Sequence, residues 1–200
     1  MHSYIHLMRL NRPIGIFLLL WPTLWALYIA SHGTPSIQHL IIFIFGTVLM
    51  RSAGCVANDI LDRKFDSFVT RTKLRPLANQ TIPVKNAIFL LITLLMGALI
   101  CVLFLNHEAF YFSLIALFLA LTYPLTKRFF VMPQAYLGLS FGMGIPMAFV
   151  AHEISLSMTT WLLFLANLFW ATAYDTLYAV TDKNDDLKIG IRSSAIWFLV

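Results

Sequence analysis

The sequence has few charged residues and little cysteine. Only 12% of its 200 residues are Asp, Glu, Lys or Arg, whereas 60% are hydrophobic and the mean hydropathy is +0.80. A soluble domain of this length could not bury so much apolar surface, which excludes a soluble globular fold. The two cysteines, Cys55 and Cys101, both fall inside apolar segments. We expect them to be free thiols, and they leave the redox compartment open.

Alternating polar and apolar residues are also lacking, which argues against a transmembrane barrel because its strands need ~10-residue alternating segments. The apolar runs are instead continuous and approach the length of about 20 residues that a transmembrane helix needs. The sequence therefore predicts an all-α, polytopic transmembrane helical bundle. Six complete spans and the start of a seventh near Ser194 are predicted, at 14–31, 37–57, 86–105, 109–125, 132–151 and 159–178.

Lysine and arginine are absent from every second connection between these spans. The connections SHGTPS, NHEA and AHEISLS contain neither residue, and all fourteen basic residues lie on the other side. The positive-inside rule places that basic side, with the N-terminus, in the cytoplasm, and we expect a bacterial inner membrane. The net charge of +5 is explained by topology and anionic lipid headgroups, so we predict no nucleic-acid partner.

The scarce acidic residues are strongly clustered. All seven aspartates lie in NDILDRKFD at 58–66, at Asp175, and in DKNDD at 182–186, on the predicted cytoplasmic side. On helical backbone, residues three or four apart share one face. Oxygen ligands in such sets suit Mg²⁺, which is typically held by one or two carboxylates plus substrate phosphates. The sequence therefore predicts two metal-binding sets at one membrane boundary.

Basic side chains surround these aspartates and supply donors for phosphate oxygens, which arginine can bind in a bidentate manner. This combination favours a diphosphate carried on a lipid tail. Three alternatives stay open at this point: solvated loop residues or helix caps, a membrane phosphotransferase acting on CDP-alcohols, and a cation transporter. The basic residues are Arg71, Lys73, Arg75, Lys127, Arg128 and Lys188.

Asp175 and Arg51 lie deeper than the other charged residues. Asp175 precedes Asp182 by seven residues, so a helix would place it about two turns inside the sixth span. A carboxylate at that depth needs a partner or a watery cavity. Arg51, near the end of the second span, could be that partner or could bind an anionic substrate. A structural ion pair and a catalytic role both remain open.

Several ordered motifs carry a family resemblance that extends through nearly the whole chain. The sequence resembles the UbiA superfamily of intramembrane aromatic prenyltransferases, most closely its 4-hydroxybenzoate polyprenyltransferases of ubiquinone biosynthesis. The resemblance implies transfer of a prenyl group from a polyprenyl diphosphate to the ring carbon ortho to the hydroxyl of 4-hydroxybenzoate, with Mg²⁺ between two aspartate motifs. The motifs are RLNRPIG, NDILDRKFD, VTRTKLRPLANQTI, LTYPLTKRF, MPQAYLGLSFGMGIPMAF and AYDTLYAVTDKNDDLKIGIRSSA.

The resemblance also implies individual roles. The metal ligands would be Asn58, Asp62 and Asp66, with Asp59 nearby, and Asp182 and Asp186 on the second motif. The substrate-binding residues would be Arg71, Arg75, Tyr123, Lys127 and Arg128, to which the depth of Arg51 in the second span adds Arg51 as a further candidate. Asp175, Asp182 and Arg128 are the predicted catalytic residues; Asp175 or the diphosphate itself would remove the ring proton. Another aromatic acceptor remains an alternative.

The sequence departs from the family pattern at two points. RLNRPIG has Asn11 where the family usually has an acidic residue, a mild change. The family has about nine spans, whereas this chain reaches only the start of a seventh at Val200. We therefore expect one domain over residues 1–200 that is truncated at its C-terminus. The sequence does not predict an oligomeric state.

Overall fold

The computed structural model describes residues 2–126, 128–181, 183, 187 and 194–198, and all regular structure among these residues is helical. The predicted all-α bundle is confirmed. In chain order the helices are α1 His2–Leu7, α2 Ile14–Ala30, α3 Ile37–Asp66, α4 Val84–Leu103, α5 His107–Thr126, α6 Pro133–Gly142, α7 Gly144–Ala151, α8 Met158–Val180 and α9 Ser194–Phe198.

Within the described residues, four helical segments are long and apolar enough to cross a membrane: α3, α4, α5 and the consecutive pair α6–α7. Helix α2 is apolar but has 17 residues. Helix α8 has 23 residues, yet its hydropathy is lower because it includes Asn167 and Asp175. Helix α9 begins at Ser194, where the seventh span was predicted to begin. Large apolar side chains such as Phe89 and Phe118 cover the outer surface, as expected for contact with lipid.

Hydrogen bonds between distant segments define the two ends of the bundle. At one end, which we call the aspartate end, Asn86 Nδ2 donates to the Tyr4 hydroxyl at 3.2 Å and Arg9 pairs with Asp59. At the opposite end, Asn106 Nδ2 donates to the Val150 carbonyl at 2.5 Å. The three connections without lysine or arginine lie at this opposite end, so the charge asymmetry of the sequence is also an asymmetry of the fold.

Helix α3 continues about two and a half turns beyond the predicted end of the second span and places the whole NDILDRKFD motif on helical backbone. Ser36 caps its N-terminus by accepting a hydrogen bond from the His39 amide at 3.1 Å. Its last turn contains Arg63 and Lys64, which favour a helix C-terminus electrostatically. No glycine or proline interrupts residues 55–66. The first acidic motif is therefore the end of a long membrane helix rather than the start of a loop.

The predicted fifth span is broken at Met143 into α6 and α7, and glycines allow it to pack closely. A Cβ at Gly138 would lie 2.8 Å from the Leu168 carbonyl oxygen of α8, and one at Gly142 would lie 2.7 Å from the Phe164 ring. The break at Met143 and the close approach to α8 thus both occur in this glycine-containing segment. The α6–α7 segment is the most buried of the four candidate spans.

Replacing Gly138 with alanine is expected to destabilise the bundle by about 1–3 kcal/mol, because the new methyl group would meet backbone of α8 that cannot rotate away. The matched control is Gly54→Ala in α3, where a Cβ meets nothing within 4 Å and alanine favours the helix. Thermal unfolding of both variants in detergent measures the difference. Equal midpoints for the two variants would contradict the close approach of α6 and α8.

Candidate active site

A cavity of about 760 Å³ extends from the aspartate end into the bundle. Its polar end combines oxygen ligands from the last turns of α3 with arginines from the following connection. The close grouping of these side chains follows from the extension of α3 and from the return of residues 67–83 along it. The polar lining residues at this end are Asn58, Asp62, Asp66, Arg71 and Arg75.

Beyond this end and a second polar group described below, the cavity is mainly apolar and runs between α3, α4 and α5 toward the opposite end of the bundle. Its walls are aliphatic and aromatic side chains, with Gly46 opening space on α3, where a Cβ would meet nothing within 4 Å. Such a wall suits a hydrocarbon chain, whereas the polar end suits a charged group. The cavity is therefore amphipathic along its length. Its apolar lining includes Ile42, Phe43, Leu95, Leu99, Val102 and Leu117.

Asp59 is held by two arginines and is not among the residues that line the cavity. Its Oδ1 accepts hydrogen bonds from Arg9 Nη2 at 2.9 Å and from Arg75 Nη1 at 3.1 Å, and only 2% of the residue is exposed. Burial opposes the charge on Arg9, yet Cys55 and Asp59 raise the pKa of its guanidinium above the ordinary value, so Arg9 stays protonated. This arrangement gives Asp59 a role in charge pairing, beside the predicted metal ligands.

Asp66 shares Arg75 with Asp59. Arg75 Nη1 donates to Asp66 Oδ2 at 2.7 Å, and Thr72 Oγ1 donates to the Asp66 carbonyl at 3.0 Å. Both contacts attach the connection after α3 to the end of that helix. The Arg75 contact also orients the carboxylate of Asp66, which lines the cavity, and holds the guanidinium beside it.

Replacing Asp59 with asparagine is expected to destabilise the protein by about 3 kcal/mol, because two partly buried guanidinium groups lose a charged partner. Thermal unfolding in detergent provides the measurement, with Glu108→Gln at the exposed opposite end as the control. A stability loss no larger than that of the control would show that Asp59 does not anchor Arg9 and Arg75.

Two further arginines pack on aromatic rings of the cavity wall. Arg71 Nη1 donates to the Tyr178 hydroxyl at 3.2 Å, and its guanidinium carbon lies 5.0 Å from the centre of that ring. Arg128 Nη2 donates to the Leu61 carbonyl at 3.3 Å, with its guanidinium 5.3 Å from the Phe65 ring centre. Arg71 and Phe65 line the cavity, whereas Arg128 lies behind Phe65.

A second group of polar side chains lies deeper in the cavity. Arg51 lines it, with its guanidinium 5.7 Å from the centre of the Phe141 ring. The missing side chain of Gly15 makes room for that guanidinium, since a Cβ there would approach Arg51 Nη2 to 2.5 Å. Asp175 and Tyr174 of α8 also line the cavity, and the Tyr174 hydroxyl is buried without a hydrogen-bond partner in the described part of the chain.

Of the remaining predicted site residues, one is among the described residues and three are not. Tyr123 of α5 lines the cavity. Lys127, Asp182 and Asp186 lie outside the described residues. Among residues 2–126 and 128–181, together with 183, 187 and 194–198, no group of three or more His, Cys, Asp or Glu is arranged to hold a metal ion. The described half of the proposed metal site thus consists of Asn58, Asp62 and Asp66.

Sequence reasoning missed several residues of this site. Arg9 and Arg12 were used only to orient the chain, yet both line the cavity, and Arg9 has a positive φ of 55°. Tyr174 and Tyr178 also line the cavity and were not among the predicted site residues. The available signal for the two arginines was their place in RLNRPIG. For the tyrosines, the signal was their position one residue before and three after Asp175 on a helix.

Comparison with known proteins agrees with this geometry. The model of the UbiA prenyltransferase family matches residues 19–199. The chain belongs to the UbiA prenyltransferase family. The predicted recognition is thereby confirmed, and the α-helical bundle with its amphipathic cavity is the UbiA fold.

Curated relatives of this UbiA member are similar over almost the whole chain. The 4-hydroxybenzoate octaprenyltransferase of Methylobacillus flagellatus is 57% identical over 99% of this chain and 67% of the relative. The enzyme of the same name from Neisseria gonorrhoeae is 56% identical over 98% of this chain and 66% of the relative. The chain therefore spans about two thirds of the length of the curated relatives it matches.

Solved structures of the family share the fold. A UbiA homologue from Aeropyrum pernix superposes with a TM-score of 0.78, at 28% identity, over 90% of this chain and 67% of that one. A homologue from Archaeoglobus fulgidus, described as bound to GPP and Mg²⁺, gives a TM-score of 0.77 at 19% identity over 98% of this chain and 69% of that one. At that identity the second likeness shows the fold alone.

Proposed function

We propose that this UbiA member transfers a polyprenyl group from a polyprenyl diphosphate to the ring of 4-hydroxybenzoate in a Mg²⁺-dependent reaction. The observation that carries the proposal is the amphipathic cavity, whose charged end opens at the aspartate end of the bundle and whose apolar part runs between α3, α4 and α5. A diphosphate on a hydrocarbon tail has the same division of polarity. The product would belong to ubiquinone biosynthesis.

The proposed diphosphate site joins oxygen ligands to cationic donors. Asn58, Asp62 and Asp66 supply amide and carboxylate oxygens on neighbouring turns of α3, and such hard ligands fit Mg²⁺. When bound, Mg²⁺ would neutralise negative charge on the diphosphate oxygens. We propose Asp182 and Asp186 as the second set of ligands and Lys127, with Tyr123, as a neighbour of the diphosphate. Arg71 and Arg75 would stabilise the charge that grows on the leaving diphosphate.

The proposed acceptor site lies deeper, around Arg51. Its guanidinium can bind the carboxylate of 4-hydroxybenzoate through two parallel hydrogen bonds. The buried Tyr174 hydroxyl, which has no hydrogen-bond partner among the described residues, offers a further polar contact. We propose that Asp175 accepts the ring proton released when the prenyl carbon bonds to the ring. The aromatic walls exclude water, which would otherwise capture the allylic cation.

Arg128 and Asp59 also have roles in this proposal. Arg128 packs on Phe65, the residue before Asp66, and remains a proposed substrate-binding and catalytic residue. Asp59, predicted as a neighbour of the metal, would position Arg75 for the diphosphate. We also propose that the aspartate end faces the cytoplasm of a bacterial cell, since the connections at the opposite end have no lysine or arginine.

The names of the relatives support this choice of substrates. Proteins 56–57% identical to this chain are called 4-hydroxybenzoate octaprenyltransferases, which favours a long prenyl donor and this acceptor over other aromatic rings. The Archaeoglobus homologue binds GPP and Mg²⁺, and we propose the same classes of ligand here.

The test is a prenyl-transfer assay in membranes from cells that express the gene of this protein. Labelled 4-hydroxybenzoate and octaprenyl diphosphate are supplied with and without Mg²⁺, and lipid-soluble product is separated and identified by mass. Magnesium-dependent ortho-prenylated product is the expected result. Product with a different phenolic acid but none with 4-hydroxybenzoate would overturn the acceptor, and no product with any acceptor would overturn the function.

A further inference from the structure

Two histidines from different helices meet at the end of the bundle opposite to the proposed active site. His39 lies in the first turn of α3, and His152 directly follows α7. His39 Nδ1 and His152 Nε2 are 3.2 Å apart, and the ring centres are 4.4 Å apart at an interplanar angle of 67°. Both side chains are partly exposed, so ions in solution can reach them.

The surroundings fix how His152 presents its nitrogens. Its Nδ1 lies 2.9 Å from the Ala148 carbonyl, which can only accept, so the proton of a neutral His152 is on Nδ1. The lone pair of its Nε2 therefore faces His39. A metal-binding histidine usually donates its other ring nitrogen to a carboxylate or carbonyl in this way. Ala148 and Phe149 are buried, which anchors this turn.

The separation of the two nitrogens fits a shared metal ion. Two imidazole nitrogens at ~2.0–2.1 Å from a tetrahedral Zn²⁺ are roughly 3.3 Å apart. When His39 carries its proton on Nε2, the two facing nitrogens, 3.2 Å apart, both have a free lone pair. When His39 instead carries it on Nδ1, the pair forms an ordinary hydrogen bond. A metal ion lying to one side of the line between the two nitrogens and this hydrogen bond are thus alternatives for the same pair of side chains.

The charge and the space around the pair favour a cation. The connections at this end contain no lysine or arginine, and this end of the bundle includes Glu108, Glu153 and four of the six histidines, three in the connections and His39 in α3. A cavity of about 420 Å³ adjoins both rings, with Glu153 in its wall, and has room for water ligands. Asn106, also in that wall, already uses its amide groups on Val150 and Ala109.

We propose that His39 and His152 form a binding site for a late first-row transition-metal dication such as Zn²⁺, with water completing the coordination. Imidazole nitrogens suit this class of metal, whereas Mg²⁺ requires oxygen ligands. The bound ion joins the N-terminal end of α3 to the C-terminal end of α7. The site is separate from the aspartate end and does not depend on the proposed prenyl transfer.

The site is tested by measuring zinc binding to the purified, metal-free protein in detergent. The protein carries no histidine tag, and excess Mg²⁺ is present to occupy the aspartate end. We expect one Zn²⁺ to bind per chain and to raise the thermal unfolding midpoint by at least ~2 °C. His39→Gln and His152→Gln should each lose both effects, whereas the matched controls His32→Gln and His107→Gln, at the same end, should keep them.

A measurement on the unmodified protein covers the case in which a variant does not fold. One equivalent of Cu²⁺ should give an electron paramagnetic resonance spectrum with nitrogen couplings from two imidazoles. Absence of zinc binding, a copper spectrum with fewer than two imidazoles, or full zinc binding in both His39→Gln and His152→Gln would each overturn the proposal.

Discussion

Membranes containing the Asp62→Ala variant are expected to prenylate 4-hydroxybenzoate at least ~10²-fold more slowly than the wild type, because charge on the leaving diphosphate loses a metal ligand. Asp62 is 7% exposed, lines the polar end of the cavity, and lies one turn from both Asn58 and Asp66 on α3. The loss should appear at saturating donor and acceptor. It should be accompanied by a higher Mg²⁺ concentration for half-maximal rate.

The matched control for this prediction is Glu108→Gln, which also removes one carboxylate but at the opposite end of the bundle. Asp66→Asn keeps the shape of a second proposed ligand and should show the same dependence on Mg²⁺. Protein amount in each membrane is measured by immunoblot, so that poor insertion is not taken for poor catalysis. Retention of more than half of the wild-type rate by Asp62→Ala would refute the proposed metal site.

The Arg51→Ala variant is expected to raise KM for 4-hydroxybenzoate by roughly 10- to 100-fold, which corresponds to the ~1.5–3 kcal/mol of hydrogen bonds to a charged group. KM for the polyprenyl diphosphate should stay close to that of the wild type, because Arg51 lies beside Gly15 and Phe141, away from the arginines at the polar end. Steady-state kinetics with each substrate varied in turn separates the two constants.

A second acceptor distinguishes a role of Arg51 in acceptor binding from a role in the fold. With an acceptor that lacks the carboxylate, such as phenol, the wild type and Arg51→Ala should differ little, since neither can form the ion pair. Arg63→Ala is the matched control on α3; Arg63 donates to the Ile60 carbonyl and does not line the cavity. A similar loss with phenol and with 4-hydroxybenzoate would show that Arg51 supports the fold instead of binding the acceptor.

The sequence predicted the bundle well because each helix is marked by a local signal. Continuous apolar runs located the spans, and the absence of lysine and arginine from alternate connections separated the two ends. The end of α3 was less predictable. Hydropathy falls at Asn58, where the span was predicted to end, but helical hydrogen bonding continues to Asp66 because nothing in 58–66 breaks it.

The spacing of the first aspartate motif could not predict which of its residues pairs with two arginines and which line the cavity. Seven residues are almost two helical turns, so a helical wheel places Asp59 within about 20° of Asp66. Only tertiary contacts distinguish them: Arg9 and Arg75 approach Asp59 from distant segments, whereas Asn58, Asp62 and Asp66 line the cavity. Likewise, the space that Gly15 leaves for Arg51 joins residues 36 positions apart and has no local signature.

The arginine bridge between Asp59 and Asp66 has a thermodynamic consequence. Within the described residues, Arg9 and Arg75 pair with Asp59 and Asp66, and Arg12 and Arg71 join Asp62 in the cavity lining, so fixed charges of both signs lie at this part of the aspartate end before any ligand arrives. A metal dication bound alone would be repelled by the arginines, and a diphosphate bound alone would be repelled by the carboxylates. Each ligand should therefore increase the affinity for the other by the same factor, so that metal and diphosphate load as a cooperative pair.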